Sequence, residues 1–318
     1  MDSQKKEKQK DKETVKENLN HEVTLVFMAA GMGKRFGGNK QLAEIGPKGQ
    51  SLMAYTAYDA VKIGYKKLIF ILREGMDEEF MSVLGHNLKQ YVSVEIVLQD
   101  KSILPEGTEV PEGREKPLGT GHALYCVKDR IEGPFVILNA DDLYGRGVLK
   151  DLFDELKSGE AMVIPGYPVG RTLSGNGAVS RGVLDVDPNG YLNSIKEKEK
   201  IWKEEGKIFT LNGEEKEELR EDTLVSMNIW GVQKEMLNGL EDVFTEFLTR
   251  EGRNLLKDEF YLPEAMDELR KRSGKELKII RAHDQWMGMT YAEDKEEVAS
   301  EVRKMTDQGH YPESLFGE

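Results

Sequence analysis

Residues 23–42 read VTLVFMAAGMGKRFGGNKQL, an apolar run that ends in a glycine-rich, basic turn. The first eight residues have the length and the β-branched and aromatic content of a buried strand. Glycines after such a strand let backbone amides approach an anion closely, and Lys34, Arg35 and Lys40 can neutralise its charge. In outline this is a triphosphate-binding loop. It is not a Walker A loop, because no Ser or Thr follows Gly33-Lys34, and the dinucleotide pattern fails because Phe36 stands where the third glycine belongs. The alternative is an ordinary strand-to-helix turn with incidental surface lysines. Three basic residues beside these glycines, in a chain of net charge −13, speak against it.

Outward from this turn, further apolar runs recur at helix-length spacing: KLIFIL at 67–72, VSVEIVL at 92–98, FVILNA at 135–140 and AMVIPGY at 161–167. Amphipathic stretches between them predict helices over 51–63, 76–84, 122–130 and 148–157, which together give an α/β fold with a mixed, mostly parallel sheet. The second half is less regular. Strands are expected at RGVLDVD, YLNSIKE, TLVSMNIWGV and LKIIRA, and helices near 235–250, 263–272 and 293–307. The charged stretch 196–222 reads as a solvated excursion.

Of 318 residues 38% are hydrophobic and 32% charged, enough for a sizeable core. Residues 1–21 alternate Lys with Glu and Asp and read as a disordered tail, leaving 22–318 as one domain whose second half forms an annex. The acidic balance excludes nonspecific nucleic-acid binding, which needs a dense basic face. No apolar run reaches membrane-spanning length and no secretory signal is present, so no membrane association and a cytoplasmic location are expected. A single cysteine, Cys126, excludes an internal disulfide and a Cys-rich zinc site. The oligomeric state is open, with room for a homo-oligomer.

The turn Ala30-Gly31-Met32-Gly33-Lys34-Arg35, followed by Lys40, resembles the signature of the sugar nucleotidyltransferases, or nucleotide-sugar pyrophosphorylases. Leu118-Gly119-Thr120-Gly121-His122-Ala123 is similar to the base-proximal loop of N-acetylglucosamine-1-phosphate uridylyltransferases. Asn139-Ala140-Asp141-Asp142 stands where the family has Gly-Asp after a core strand, and Ile195-Lys196-Glu197-Lys198 resembles its Glu-Lys pair near the sugar phosphate. These landmarks run in the family's order from about residue 23 to 295. The resemblance implies a Rossmann-like nucleotide-binding domain and attack of a sugar-1-phosphate on the α-phosphorus of a nucleoside triphosphate, with release of pyrophosphate. Such a reaction needs charge neutralisation and in-line positioning more than proton transfer.

Under that resemblance Arg35 holds the leaving pyrophosphate and Lys40 stabilises charge at the α-phosphate, making them the catalytic pair. Ala30, Gly31, Gly33, Lys34, Gln99, Gly119 and Thr120 bind the nucleotide. Gln99 offers a donor and an acceptor, which suits uracil or thymine, and reads alternatively as a polar strand end. Asp141 is a natural Mg²⁺ ligand at the end of its strand, with Asp142 beside it leaving the register open; both read alternatively as turn residues. Family members place a second metal carboxylate in a Trp-x-Asp stretch, but here Gly288 follows Trp286 at that spacing. Asp284 either reaches the same ion or serves as a solvated turn residue. Glu197 and Lys198 are assigned to sugar hydroxyls and sugar phosphate, and Asn228 to the sugar, while Tyr167 and Arg181 have no assigned role. The long connection between Gln99 and Gly119 reads as a lid. Rival readings are a cytidylyltransferase acting on a non-sugar phosphate and a nucleotide-binding regulator without turnover.

Overall fold

The structure, a computed structural model, describes residues 22–31, 40–291 and 293–317, with the backbone alone of Lys40 and Asn212. Residues 1–21 and the centre of the glycine-rich turn, with Gly33, Lys34 and Arg35, lie outside the described residues. Strands β1 (Thr24–Met28), β2 (Lys67–Leu72), β3 (Ser93–Leu98) and β4 (Phe135–Asn139) form a parallel core in the order β4-β1-β2-β3. Their side chains alternate between two apolar layers: Leu25, Phe27, Leu68, Phe70, Val136 and Leu138 face one, and Val26, Met28, Ile69, Ile71, Phe135 and Ile137 the other. Burial on both faces is why these strands read as continuous apolar runs rather than as alternation. Phe27 and Phe70 stack at 4.5 Å, and both are fully buried. Truncating either to alanine costs about 3–5 kcal/mol.

Helices α1 (Leu52–Ile63), α2 (Thr120–Val127), α3 (Arg146–Ser158), α4 (Leu240–Thr249), α5 (Leu262–Ser273) and α6 (Asp294–Asp307) cover the sheet. Helices α1, α3 and α6 pack on one layer, and α2, α4 and α5 on the other. Ser51 caps α1 by accepting from the Ala54 amide, and Gly64 ends it at φ +113°. The predicted helix over 76–84 is instead an irregular helical run over 77–88.

Beyond the core, β5 (Asp142–Leu143) pairs antiparallel with β14 (Met287–Gly288) as a small separate ladder. The main sheet continues through β6 (Met162–Pro168), β7 (Val179–Val186), β8 (Leu192–Glu204), β9 (Lys207–Asn212), β10 (Glu215–Leu219), β11 (Leu224–Ser226), β12 (Trp230–Val232) and β13 (Lys278–Arg281). Its core strands β4, β6 and β13 run the same way, with β12 opposed between β4 and β6. The stretch 196–222 is not an excursion: it is the end of β8 plus β9 and β10, all antiparallel. Ile201 and Ile208 supply its buried residues, and Lys216–Glu204 and Lys207–Glu218 ion pairs lie across it.

The expected strand TLVSMNIWGV is interrupted. Ser226 of β11 lies opposite Gly166 and Gly231 of β12 opposite Val163, so four residues on one strand separate these pairs against two on the other. Both Gly166 and Val163 also pair with β13, which must occupy the other edge of β6, so β11 and β12 share one edge with a two-residue bulge between them. Asn228 sits in that bulge at φ +57°. On its far side β12 pairs with β4 and β11 pairs with β7, so the sheet parts between β4 and β7 at the bulge.

Candidate active site

A cavity of about 430 Å³ opens at this parting, among the end of β4, the bulge and the start of β7. Asn139, Asp141 and Asp142 form one wall, Arg181, Gly182 and Glu197 another, and Ser226, Met227 and Asn228 the bulge between them. Trp286, Met289 and Thr290 close one side. The crevice at the carboxyl ends of the parallel strands is where open α/β sheets bind ligands.

A chain of hydrogen bonds fixes the polar wall. Trp230 Nε1 donates to Asn228 Oδ1 (3.3 Å), Asn228 Nδ2 to Asn139 Oδ1 (2.9 Å), and Asn139 Nδ2 to Asp142 Oδ2 (3.0 Å). The buried Tyr144 hydroxyl lies 3.1 Å from both Asp142 Oδ2 and the Met227 carbonyl and accepts from the Asn139 amide. Tyr167, unassigned from sequence, donates to the Tyr144 carbonyl at 2.7 Å. Each amide orientation follows from its partners, so the bulge and the aspartate move together.

The predicted site residues separate on this geometry. Asp141, Asp142, Glu197 and Asn228 line the cavity together. Gly288 pairs with Asp142, and a Cβ there would stand 2.3 Å from Asp142 Oδ1, so the glycine leaves room for that carboxylate. Asp284 is placed elsewhere: its Oδ2 accepts from the Val148 amide at 2.9 Å and packs against Gly145 and Gly147 at the start of α3. That is a helix-capping position rather than a place on the cavity wall. Lys198 also turns away, to an ion pair with Glu217 at 2.9 Å. Partial desolvation pushes the Glu197 carboxyl up, and Arg181 opposes the shift.

On the nucleotide side, Ala30 is buried and the Gly31 carbonyl accepts from Gln41 Nε2 at 3.0 Å, fastening the strand end to the residues just after Lys40. Gln99 meets the 118–123 loop: its Nε2 donates to the Gly119 carbonyl (2.8 Å) and lies 3.3 Å from His122 Nδ1. With both amide hydrogens engaged, Gln99 presents a base with its oxygen alone. Thr120 Oγ1 accepts from the Leu262 amide, and a Cβ on Gly119 would meet the Phe260 carbonyl oxygen at 2.5 Å, so this loop also serves packing. His122 is fully buried, and burial pushes its imidazole down to about 4, which makes it a neutral structural group.

The connection after Gln99, expected as a lid, is fastened by the buried Arg114. Its guanidinium donates to the carbonyls of Lys116, Pro117, Leu255 and Asp258 at 2.6–2.9 Å. Sequence reasoning missed Tyr144, Trp286 and Arg181 as parts of the site. Their proximity arises from strand pairing across distant segments, and no local signal marks it.

The fold is similar to that of an inositol-1-phosphate CTP transferase from T. maritima (14% identity, 89% of this chain and 97% of that one, TM-score 0.57). A putative glucose-1-phosphate thymidylyltransferase from Bacillus anthracis, solved with a sucrose, shares it at 14% identity over 88% and 95%, TM-score 0.59. HddC from Yersinia pseudotuberculosis does so at 18% identity over 88% and 99%, TM-score 0.53. At these identities the likeness is one of fold. No curated protein matches the sequence. The family model described as nucleotidyl transferase matches residues 25–243, the span that runs from β1 through the parted sheet into α4, and the chain therefore belongs to the nucleotidyl transferase family.

Proposed function

We propose that this nucleotidyltransferase moves a nucleoside monophosphate from UTP or dTTP to a sugar-1-phosphate, releasing pyrophosphate. The observation that carries the reading is the cavity that places Asp141 and Asp142 at the end of β4 across from Glu197 and Asn228. Carboxylates beside the glycine-rich strand suit the charged end of the reaction, and a carboxylate and an amide across the cavity suit hydroxyls of an acceptor. In the reaction an acceptor phosphate oxygen forms a bond to the α-phosphorus, and the bond from that phosphorus to the bridging oxygen breaks. Its electron pair leaves with pyrophosphate.

The donor set fits Mg²⁺. Asp141 and Asp142 bring carboxylate oxygens to the cavity, and no group of three or more acidic, His or Cys residues placed to hold a metal occurs among the described residues. Mg²⁺ accepts one or two carboxylates because it retains waters and takes phosphate oxygens. When bound it would neutralise phosphate charge. Arg35 and Lys40 keep the roles of holding pyrophosphate and stabilising the α-phosphate, and Ala30, Gly31, Gly33 and Lys34 that of the phosphate loop.

A cytidylyl donor with a non-sugar acceptor is the second reading. It is favoured by Gln99, whose remaining acceptor suits the cytosine amino group as well as the uracil imide. Pyrophosphate release across four nucleoside triphosphates, crossed with sugar-1-phosphates and phospho-alcohols, separates the two. Release needing UTP or dTTP with a sugar phosphate supports the first reading; release needing CTP with a phospho-alcohol replaces it. Asp141→Asn and Asp142→Asn should each raise the Mg²⁺ requirement, and full activity in both would remove the metal assignment.

A further inference from the structure

We propose that Arg181 receives the phosphate monoester of the acceptor, the role that the sequence resemblance gives to Lys198; this rests on the transferase reading above. The charged residues lining the cavity are Asp141, Asp142, Glu197 and Arg181. An acceptor phosphate entering a wall with three carboxylates needs a cation opposite the aspartates. Arg181 is the lining residue that supplies one.

The state of its guanidinium supports this. Among the described residues no carboxylate lies within 4.0 Å of Arg181, so its charge is not spent in an ion pair. Nη1 donates to the Ser180 carbonyl and Nη2 to the Thr172 carbonyl. Nε is shielded and has no acceptor, which leaves at least one of five N–H donors unused. One face of the guanidinium lies over the Trp286 ring at 5.0 Å, fixing its plane. A planar fork held this way in a partly desolvated wall binds phosphate more strongly than an exposed ammonium does. Gly182, the next residue, would push a Cβ into Ile195 at 2.8 Å, so the wall beside Arg181 stays free of a further side chain.

Lys198 is paired with Arg181 in the β7–β8 register, yet its ammonium is occupied by Glu217 and it does not line the cavity. A phosphate monoester at Arg181 could come from the acceptor or from the nucleotide; the nearness of Arg181 to Glu197 and Gly182, away from the β1 turn, favours the acceptor.

The test compares the full-length wild type with Arg181→Gln, Arg181→Lys and Lys198→Ala. Pyrophosphate release is measured with each substrate varied in turn, and inorganic phosphate binding is measured by calorimetry without nucleotide. Arg181→Gln should raise the acceptor KM at least about tenfold and leave the nucleotide KM within about twofold, with Arg181→Lys between it and wild type. Lys198→Ala should stay within about threefold on both. Phosphate binding should weaken in Arg181→Gln alone. A large acceptor effect in Lys198→Ala without one in Arg181→Gln overturns the proposal, and so does a rise confined to the nucleotide KM. If Arg181→Gln does not fold, Arg181→Lys decides by the same KM comparison. A wild type silent with every substrate pair sinks the transferase reading, and the phosphate arm then still decides whether Arg181 is an anion site.

Discussion

Replacing Gly119 with alanine tests how far the 118–123 loop is a structural hinge rather than only a nucleotide contact. Gly119 adopts φ 103° and ψ 180°, a region essentially reserved for glycine. A Cβ there would stand 2.5 Å from the Phe260 carbonyl oxygen and 2.9 Å from its nitrogen, both backbone atoms that cannot swing aside. Phe260 is itself held on both sides, its amide donating to Leu118 at 2.7 Å and its carbonyl accepting from Gly121 at 2.8 Å. The variant must therefore strain its own backbone, at about 1–3 kcal/mol, or displace Phe260 and lose two hydrogen bonds of about 1 kcal/mol each. Either route gives a loss of about 2–4 kcal/mol, read as a lower urea midpoint at unchanged slope. Gly31→Ala is the contrast. Its Cβ would meet only the mobile Gln41 side chain, at 3.0 Å, so stability should change by less than about 1 kcal/mol while nucleotide affinity falls. An unchanged midpoint in Gly119→Ala would refute the packing argument.

Three further outcomes follow from the site's hydrogen bonds. Asp284→Ala should lose about 0.5–2 kcal/mol as a cap of α3 while the Mg²⁺ requirement of the folded enzyme holds; a shifted requirement would return Asp284 to the metal set. Tyr144→Phe should lose about 1–3 kcal/mol and also raise the Mg²⁺ concentration for half-maximal rate, because Asp142 loses a support; a purely structural tyrosine would leave that concentration alone. His122 lies below its ordinary 6.5, at about 4, so the unfolded chain takes up the proton first as pH falls. Stability should therefore be lost from about pH 6.5 down to about pH 4, by up to about 3 kcal/mol, and the difference between wild type and His122→Gln across that window should show it.

The parallel core was legible because its strands are buried on both faces, which leaves runs such as FVILNA with no competing interpretation. The α1 boundaries were legible for a local reason too, since Ser51 and Gly64 punctuate the helix at its two ends. Residues 196–222 were misread because their charges pair across strands: Lys216 and Glu204 look solvated in sequence yet meet at 2.9 Å, and Lys216 also lies 3.7 Å above the centre of the Phe209 ring. Charge density reports exposure, and an exposed antiparallel ribbon is exposed without being irregular. The interruption of TLVSMNIWGV was equally hidden, because every residue in it suits a strand and only the partner register reveals the bulge.

That bulge is also why the acceptor side of the site was less legible than the nucleotide side. Residues that hold phosphates through a glycine-rich turn lie close together in sequence, so their spacing carries the chemistry. The cavity instead depends on where β4 stops and β7 takes over the edge, which brings Asp142, Arg181, Asn228 and Trp286 together from four distant segments. A motif such as Ile195-Lys196-Glu197-Lys198 fixes neighbours along the strand but not which of them faces the gap. The pleat gives the cavity Glu197 and turns Lys198 to Glu217, so a cation for the acceptor phosphate has to come from another strand. Arg181, directly across the register from Lys198 and stacked on Trp286, is placed to be that cation.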